Sequence, residues 1–305
     1  MTQVQFGFTV PINSRGLPRQ EYLSRVRTAL DAIEGSFDSV WFPDHLQFGN
    51  GPLLEGWTTL TYLAALRPEL RYGHLVSCQL FRNPALLAKM AATFQYMSQG
   101  HFILGIGAGW AEEEARAYNI PFPPGGQRVS GLEEQLQIIN ALWREESVTF
   151  EGKYHQVHNA ICLPHPEPLP PILIAGVQPR MLRLIARYAD WWNSMATTLD
   201  EAREQSKALE AACEEVGRDP KTLRRTVLTS CYCAPTEQTL NEEIAQQKIL
   251  GVDIVGTPAQ VVEQLQSFIE LGFDYYMIIA KDFPSQFTTL ELLAREVLPA
   301  LNKGQ

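Results

Sequence analysis

No run of 18 or more apolar residues occurs in this chain, so no membrane-spanning helix is expected. Positive charge is also short: 25 Lys and Arg stand against 34 Asp and Glu, a formal net charge of −9. That balance disfavours nucleic acid as a partner and gives no electrostatic attraction to an anionic membrane. The local basic pair Arg224-Arg225 reads either as a phosphate contact or as solvated surface. Cysteine is scarce, with only Cys78, Cys162, Cys213, Cys231 and Cys233, and no CxxC spacing among them. Cys231 and Cys233 alternate within an apolar stretch and read as small strand residues. Without a disulfide framework the expected compartment is the cytoplasm. The opening MTQVQFGF enters a strand-like segment with no charged leader and apolar h-region, which predicts no secretory signal. HExxH, a serine elbow and GxxxxGK[ST] are all missing, which excludes the sites those motifs build. His155 and His158 are three apart and fall on opposite faces of a strand, so no metal site is expected.

What is present is a repeated grammar of short apolar strands, loops and helices. Residues 102–110, FILGIGAGW, run from apolar and small residues into glycines. A strand covered on both faces loses polar alternation, and glycines past its end let backbone approach a ring or phosphate closely. Seven further stretches, 4–10, 37–42, 71–77, 171–175, 191–194, 226–232 and 275–280, read the same way, separated by helical patterns. Asn83-Pro84 predicts a capped helix start, and Leu86, Met90 and Phe94 recur at helical spacing behind it. Ser130-Gly-Leu-Glu133 and Thr257-Pro-Ala-Gln260 read as capping boxes. Strand, loop and helix repeated eight times predict an α/β fold, a (β/α)8 TIM barrel. Residues 1–305 read as a single domain of that kind, with an insertion at about 145–170 between the fourth helix and fifth strand. Within it, 148–150 and 154–157 predict a small hairpin over one end of the barrel.

Barrel sites form at the C-terminal strand ends. In order these present Phe8, Asp44 with His45, Ser77 with Cys78, 107–110, 176–180, Trp192 with Asn193, and Lys281 with Asp282. His45 follows SVWFPD directly and is suited to proton exchange near neutral pH, or to a packed, hydrogen-bonding role. Asp44 reads either as the group that orients His45 or as a cap of the next turn. The segment Gly176-Val-Gln-Pro-Arg180 opens a helix, where free amides and an arginine suit a phosphate; a plain turn is the other reading. Trp110, Tyr154 and Trp192 are candidates to wall a planar ligand, or to pack in the core.

The blocks SVWFPDH (39–45), 55–65, FRNPALLAKMAA (81–92), 102–110, 132–143 and 171–193 with its ARYADWWN ending resemble the bacterial luciferase-like superfamily. The likeness runs nearly the whole length and is nearest to the F420-dependent members. It implies an oxidoreductase passing hydride between the deazaflavin F420 and a small organic substrate. An FMN-dependent monooxygenase supplied with reduced flavin by a flavin reductase, and a barrel that only binds a cofactor or metabolite, are the alternatives. By the same resemblance His45 matches a histidine that acts as base in the F420-dependent sugar-phosphate dehydrogenases. Ala108 stands where those enzymes carry an acidic residue and where luciferase carries a phosphate-binding arginine. Ser77-Cys78 matches a third-strand end that often carries a non-proline cis peptide behind the cofactor ring. The loop 176–180 matches the one that meets the cofactor phosphate. The resemblance thus implies catalytic His45 and Asp44. Cofactor contacts are implied at Phe8, Ser77, Cys78, Gly107, Ala108, Tyr154, Ala175, Gly176, Val177, Arg180 and Trp192, in a homodimer.

Overall fold

The computed structural model describes residues 3–13 and 16–303; Met1 and Thr2 of the opening segment lie outside the described residues. Eight strands close a parallel barrel: β1 Gln5–Thr9, β2 Ser39–Phe42, β3 Arg71–His74, β4 Phe102–Gly107, β5 Ile172–Ala175, β6 Trp191–Ser194, β7 Arg224–Cys233 and β8 Phe273–Ala280. Each pairs with the next in order, and β8 returns to β1 through the register Gln5 to Tyr275 and Phe8 to Ile278. The barrel expected from the strand and helix rhythm is therefore the one observed. Two short strands are added to it. Ser77–Cys78 pairs with the end of β4, and Ile254–Gly256 pairs with the last three residues of β7. Among the described residues no helix is long and apolar enough to cross a membrane.

Strand parity decides what fills the lumen. Trp41, Ile103, Leu173, Trp191, Tyr275 and Met277 point inward and pack as one cluster. Trp41 occupies space left by two glycines: a Cβ on Gly7 would lie 2.4 Å from its Nε1, and one on Gly73 2.4 Å from its Cζ3. Its indole N–H donates to Ser39 Oγ at 2.6 Å, so the buried donor is satisfied. The opposite strand faces carry Phe6, Phe8, Val40, Phe42, Leu104, Ile106, Ile174 and Trp192 into the main core beneath the helices. Phe8 is fully buried there against Phe283, with ring centroids 5.4 Å apart. Trp192 is fully buried against Phe273 at 5.8 Å.

The glycine run after Phe102 has a different use from the one expected of it. A Cβ on Gly105 would sit 1.8 Å from the His74 carbonyl oxygen, one on Gly107 2.9 Å from Val76 Cγ2, and one on Gly109 2.9 Å from Cys78 Sγ. Alternate glycines thus seat the segment 74–78 against β4 and the turn after it, Gly105 against backbone and Gly107 and Gly109 against side chains, and that segment bulges into the barrel mouth. The non-proline cis peptide lies in this bulge, at Leu75-Val76 and not at Ser77-Cys78.

Helix starts follow the expected chemistry at Asn83, whose side-chain oxygen accepts from the amides of Ala85 and Leu86. They follow it also at Thr257, where Gln260 Oε1 accepts the Thr257 N–H at 2.9 Å. Ser130 is not a cap. The helix runs Gly125–Leu142, so Ser130 is interior to it and its hydroxyl accepts from Arg180 instead. The insertion does form an antiparallel hairpin, Val148–Glu151 with Gln156–Ala160, the second strand two residues later than the pattern predicts. Its turn is fixed to the same helix: Glu134 accepts from the amides of Lys153, Tyr154 and His155 at 2.8–2.9 Å.

Candidate active site

A cavity of about 480 Å³ opens at the C-terminal end of the barrel strands. Its floor is the bulge Leu75, Val76, Ser77 and Cys78; its walls include His45, Phe48, Ala108, Trp110, Ala175, Gly176, Met181, Asn193, Met195 and Leu228. Of the residues singled out in the sequence, the structure brings Asp44, His45, Ser77, Cys78, Ala108, Ala175 and Gly176 to this one space.

His45 leaves β2 through Pro43 and Asp44. Its Nδ1 lies 2.8 Å from Glu114 Oε1, while Glu114 Oε2 accepts the amides of Leu46 and Gln47 at 2.9 and 3.3 Å. A carboxylate only accepts, so Nδ1 carries the hydrogen and Nε2 is the nitrogen left for proton exchange. Glu114 is almost fully buried, at 4 % exposure, on the short helix Glu112–Ala117. Phe48 and Trp110 meet the imidazole edge to face at 5.4 and 5.5 Å, so the ring is clamped on two further sides.

Asp44 does neither of the things expected of it. Its carboxylate takes both terminal nitrogens of Arg82, at 2.6 and 3.1 Å, and accepts the Cys78 amide at 3.0 Å. Arg82 also reaches Glu55 at 2.8 Å, and Glu55 in turn caps the helix Gly56–Leu66 by accepting from Trp57 and Thr58. A two-pronged guanidinium–carboxylate pair this buried acts as a rigid fixture. It ties the bulge to the loop that carries His45. The Cys78 thiol is pushed up to about 12, first by burial and then by the nearby carboxylates of Asp44 and Glu114, so it stays protonated.

Two polar groups face the cavity with capacity to spare. Ser77 Oγ is buried and finds no hydrogen-bond partner among the described residues. Asn193, 1 % exposed, has its Oδ1 engaged by the Thr226 hydroxyl at 3.0 Å. An unmade hydrogen bond on a buried hydroxyl is costly, and a ligand in the cavity would satisfy it.

Other expected contacts fall elsewhere. Phe8 and Trp192 are on the outward strand faces, one residue out of phase with Gly7 and Asn193; Trp192 Nε1 instead donates to the Gly176 carbonyl and so braces that loop. Gly107 is covered by Val76. Tyr154 lies by the helix Gly125–Leu142, held in the turn that Glu134 pins, and does not line the cavity. Val177 is exposed beside the mouth, and Arg180 is exposed on the helix Pro179–Tyr188, bonded to the Gly126 carbonyl and Ser130. Glu114 and Arg82 were not legible as site residues. Glu114 is the third of three consecutive glutamates, and each is joined to its partner only by the fold.

The luciferase-like monooxygenase family model matches residues 4–253. The phthiodiolone/phenolphthiodiolone dimycocerosates ketoreductase of Mycobacterium kansasii is 37% identical, over 77% of this chain and 71% of its own length. The F420-dependent glucose-6-phosphate dehydrogenase of Kineococcus radiotolerans is 28% identical over 90% of this chain and 91% of its own. Among solved structures, an F420-dependent secondary alcohol dehydrogenase in complex with an F420-acetone adduct superposes with a TM-score of 0.82 at 20% identity, covering 98% of this chain and 99% of that one.

Proposed function

The chain belongs to the luciferase-like monooxygenase family, and from that premise we propose that it is an F420-dependent oxidoreductase that passes hydride between the deazaflavin and a small organic substrate. The observation that carries this reading is the His45–Glu114 pair set over a bulged backbone floor. A proton-exchanging imidazole fixed in one tautomer stands beside a cavity with room for a flat ring. F420-dependent relatives at 27–28% identity over most of the chain support the choice of cofactor. The site fits such a ring: apolar walls, a floor of backbone, and the unpartnered Ser77 hydroxyl with Asn193 to meet a polar ring edge. When bound, F420 supplies or accepts the hydride.

The protein does the rest. The bulge, Ser77, Asn193 and the Ala175-Gly176 turn would hold the ring, and the amides of Gly176, Val177, Gln178 and Arg180, with the Arg180 side chain, are the candidates for its phosphate. His45 moves a proton at Nε2 to or from the substrate oxygen, while Glu114 holds Nδ1–H in place. Asp44 is a positioning residue: with Arg82 it sets the floor. The partner is the small-molecule substrate, and a flavin reductase belongs only to the FMN alternative. Five free thiols support a reducing compartment, the cytoplasm. We also read the molecule as a homodimer. The helices Gly56–Leu66 and Pro84–Met97 support that reading, since they leave an apolar groove of about 660 Å³ on the outer surface with Met97 74 % exposed.

Titration of the purified protein with oxidised F420 and, in parallel, with oxidised and reduced FMN tests the cofactor. Saturable binding of F420 at least about tenfold tighter than FMN, a difference of about 1.4 kcal/mol, is expected and should persist in His45→Ala. The reverse preference overturns the reading.

A further inference from the structure

We infer, resting on the oxidoreductase reading above, that the substrate is an uncharged, apolar ketone or the matching secondary alcohol, and not a phosphorylated metabolite. Among the described residues no Lys or Arg lines the cavity. The charges that do line it are carboxylates: Asp44, held by Arg82, and Glu114, held on His45. Arg82 has its guanidinium engaged by Asp44 and Glu55. A phosphate brought here would shed water beside Glu114 with no Lys or Arg among the lining residues to face it, which is costly.

The walls point the other way. Ile12, Met181, Met195, Leu228, Phe48 and Trp110 face the space. Phe48, Trp110 and Met195 are 56, 68 and 65 % exposed, so three large apolar side chains converge on one mouth. Clustered exposed hydrocarbon of this kind marks a surface that takes a ligand. The Phe48 and Trp110 rings meet at 5.9 Å, and a second recess of about 260 Å³ shares both of them and Glu114 with the main cavity. Beyond the aromatic pair that recess is also lined by Gln47, Glu112 and Glu113, so a longer alkyl substituent lies along the apolar walls of the main cavity and not in the recess.

The chemistry balances for a carbonyl. Hydride from the reduced deazaflavin bonds to the carbonyl carbon, the C=O π pair moves to oxygen, and the His45 Nε2 proton bonds to that oxygen. The ketone gains two electrons and the cofactor loses two; the neutral imidazole then takes a proton from solvent. Alcohol oxidation is the reverse.

The test starts without cofactor. The 2-alkanones from 2-butanone to 2-decanone, and glucose 6-phosphate, are titrated into the protein while Trp fluorescence is followed, since exposed Trp110 reports on the mouth. Saturable binding should tighten about threefold to fourfold per added methylene, with no response to glucose 6-phosphate. Phe48→Ala should flatten that chain-length dependence, and so should Trp110→Ala, which removes the fluorescent reporter and is therefore followed by calorimetry. Saturable binding of glucose 6-phosphate, or an affinity independent of chain length, overturns the inference. A parallel F420 titration separates the two claims. F420 binding with no ketone response sinks the substrate class alone. Ketone binding with no F420 binding sinks the cofactor reading and leaves the apolar preference standing.

Discussion

At the scale of single residues, the site is a set of pairings between loops far apart in sequence. His45 was legible because it follows a strand directly. Its partner was not: Glu114 lies 69 positions away, and Asp44 joins Arg82 across 38. Adjacent Asp44 was the natural guess for orienting the ring, yet its two oxygens are turned to the Arg82 guanidinium and the Cys78 amide, and His45 takes its partner from Glu114. Strand parity explains Phe8 and Trp192 in the same way, since a one-residue choice exchanges cavity for core. Glu114→Gln keeps the size and removes the charge that fixes Nδ1–H. It should lower kcat about 10- to 100-fold with the F420 dissociation constant little changed, as steady-state kinetics and a binding titration would show. A kcat equal to wild type would refute the positioning role. His74 carries a pH dependence of its own. It is fully buried, with Nδ1–H donating to the Phe42 carbonyl, and burial pushes its imidazole down to about 4 against the opposing pull of Asp44. The unfolded chain binds this proton near pH 6.5, the folded chain only near 4. Stability is therefore complete above pH 6.5 and falls as pH drops towards 4, by on the order of 3 kcal/mol. Thermal denaturation from pH 7 to 4 should show a shallower slope in His74→Leu than in wild type; equal slopes would contradict the assignment.

At the scale of elements, local chemistry was legible wherever it was decided locally. Asn83 and Thr257 cap the helices that their side chains announce, because the cap bond spans two or three residues. Ser130 misled for a reason of context. The helix starts five residues earlier, at Gly125 behind Pro124, so Ser130 lies inside it and its hydroxyl meets Arg180 of the neighbouring helix. The hairpin was legible but its second strand starts two residues later than read, since Glu134 on the preceding helix gathers the turn at 153–155. The glycines of β4 read as room for a ligand. Their small size serves the neighbouring chain segment, which then makes the floor the ligand would use.

For the whole molecule, eight apolar stretches at barrel spacing carried the fold, because each strand is buried on both faces and shows it in composition. The association of copies is a property of the outer surface, where composition says less. If the groove between Gly56–Leu66 and Pro84–Met97 is the dimer face, Met97→Glu buries a charge against apolar surface. On that reading the mutant is expected to sediment as a monomer at micromolar concentration and the wild-type chain as a dimer. A mutant that remains dimeric places the interface elsewhere.

The alternate glycines of β4 have a consequence for how such a protein changes over generations. Any side chain at Gly105 would collide with the His74 carbonyl, so that wall is closed to variation one residue at a time. Phe48, Trp110 and Met195 stand on exposed loops where no backbone atom bars a change of side chain, although the first two also flank His45. Lineages that keep the floor and exchange the rim would move from one substrate to another while the cofactor's seat stays as it was.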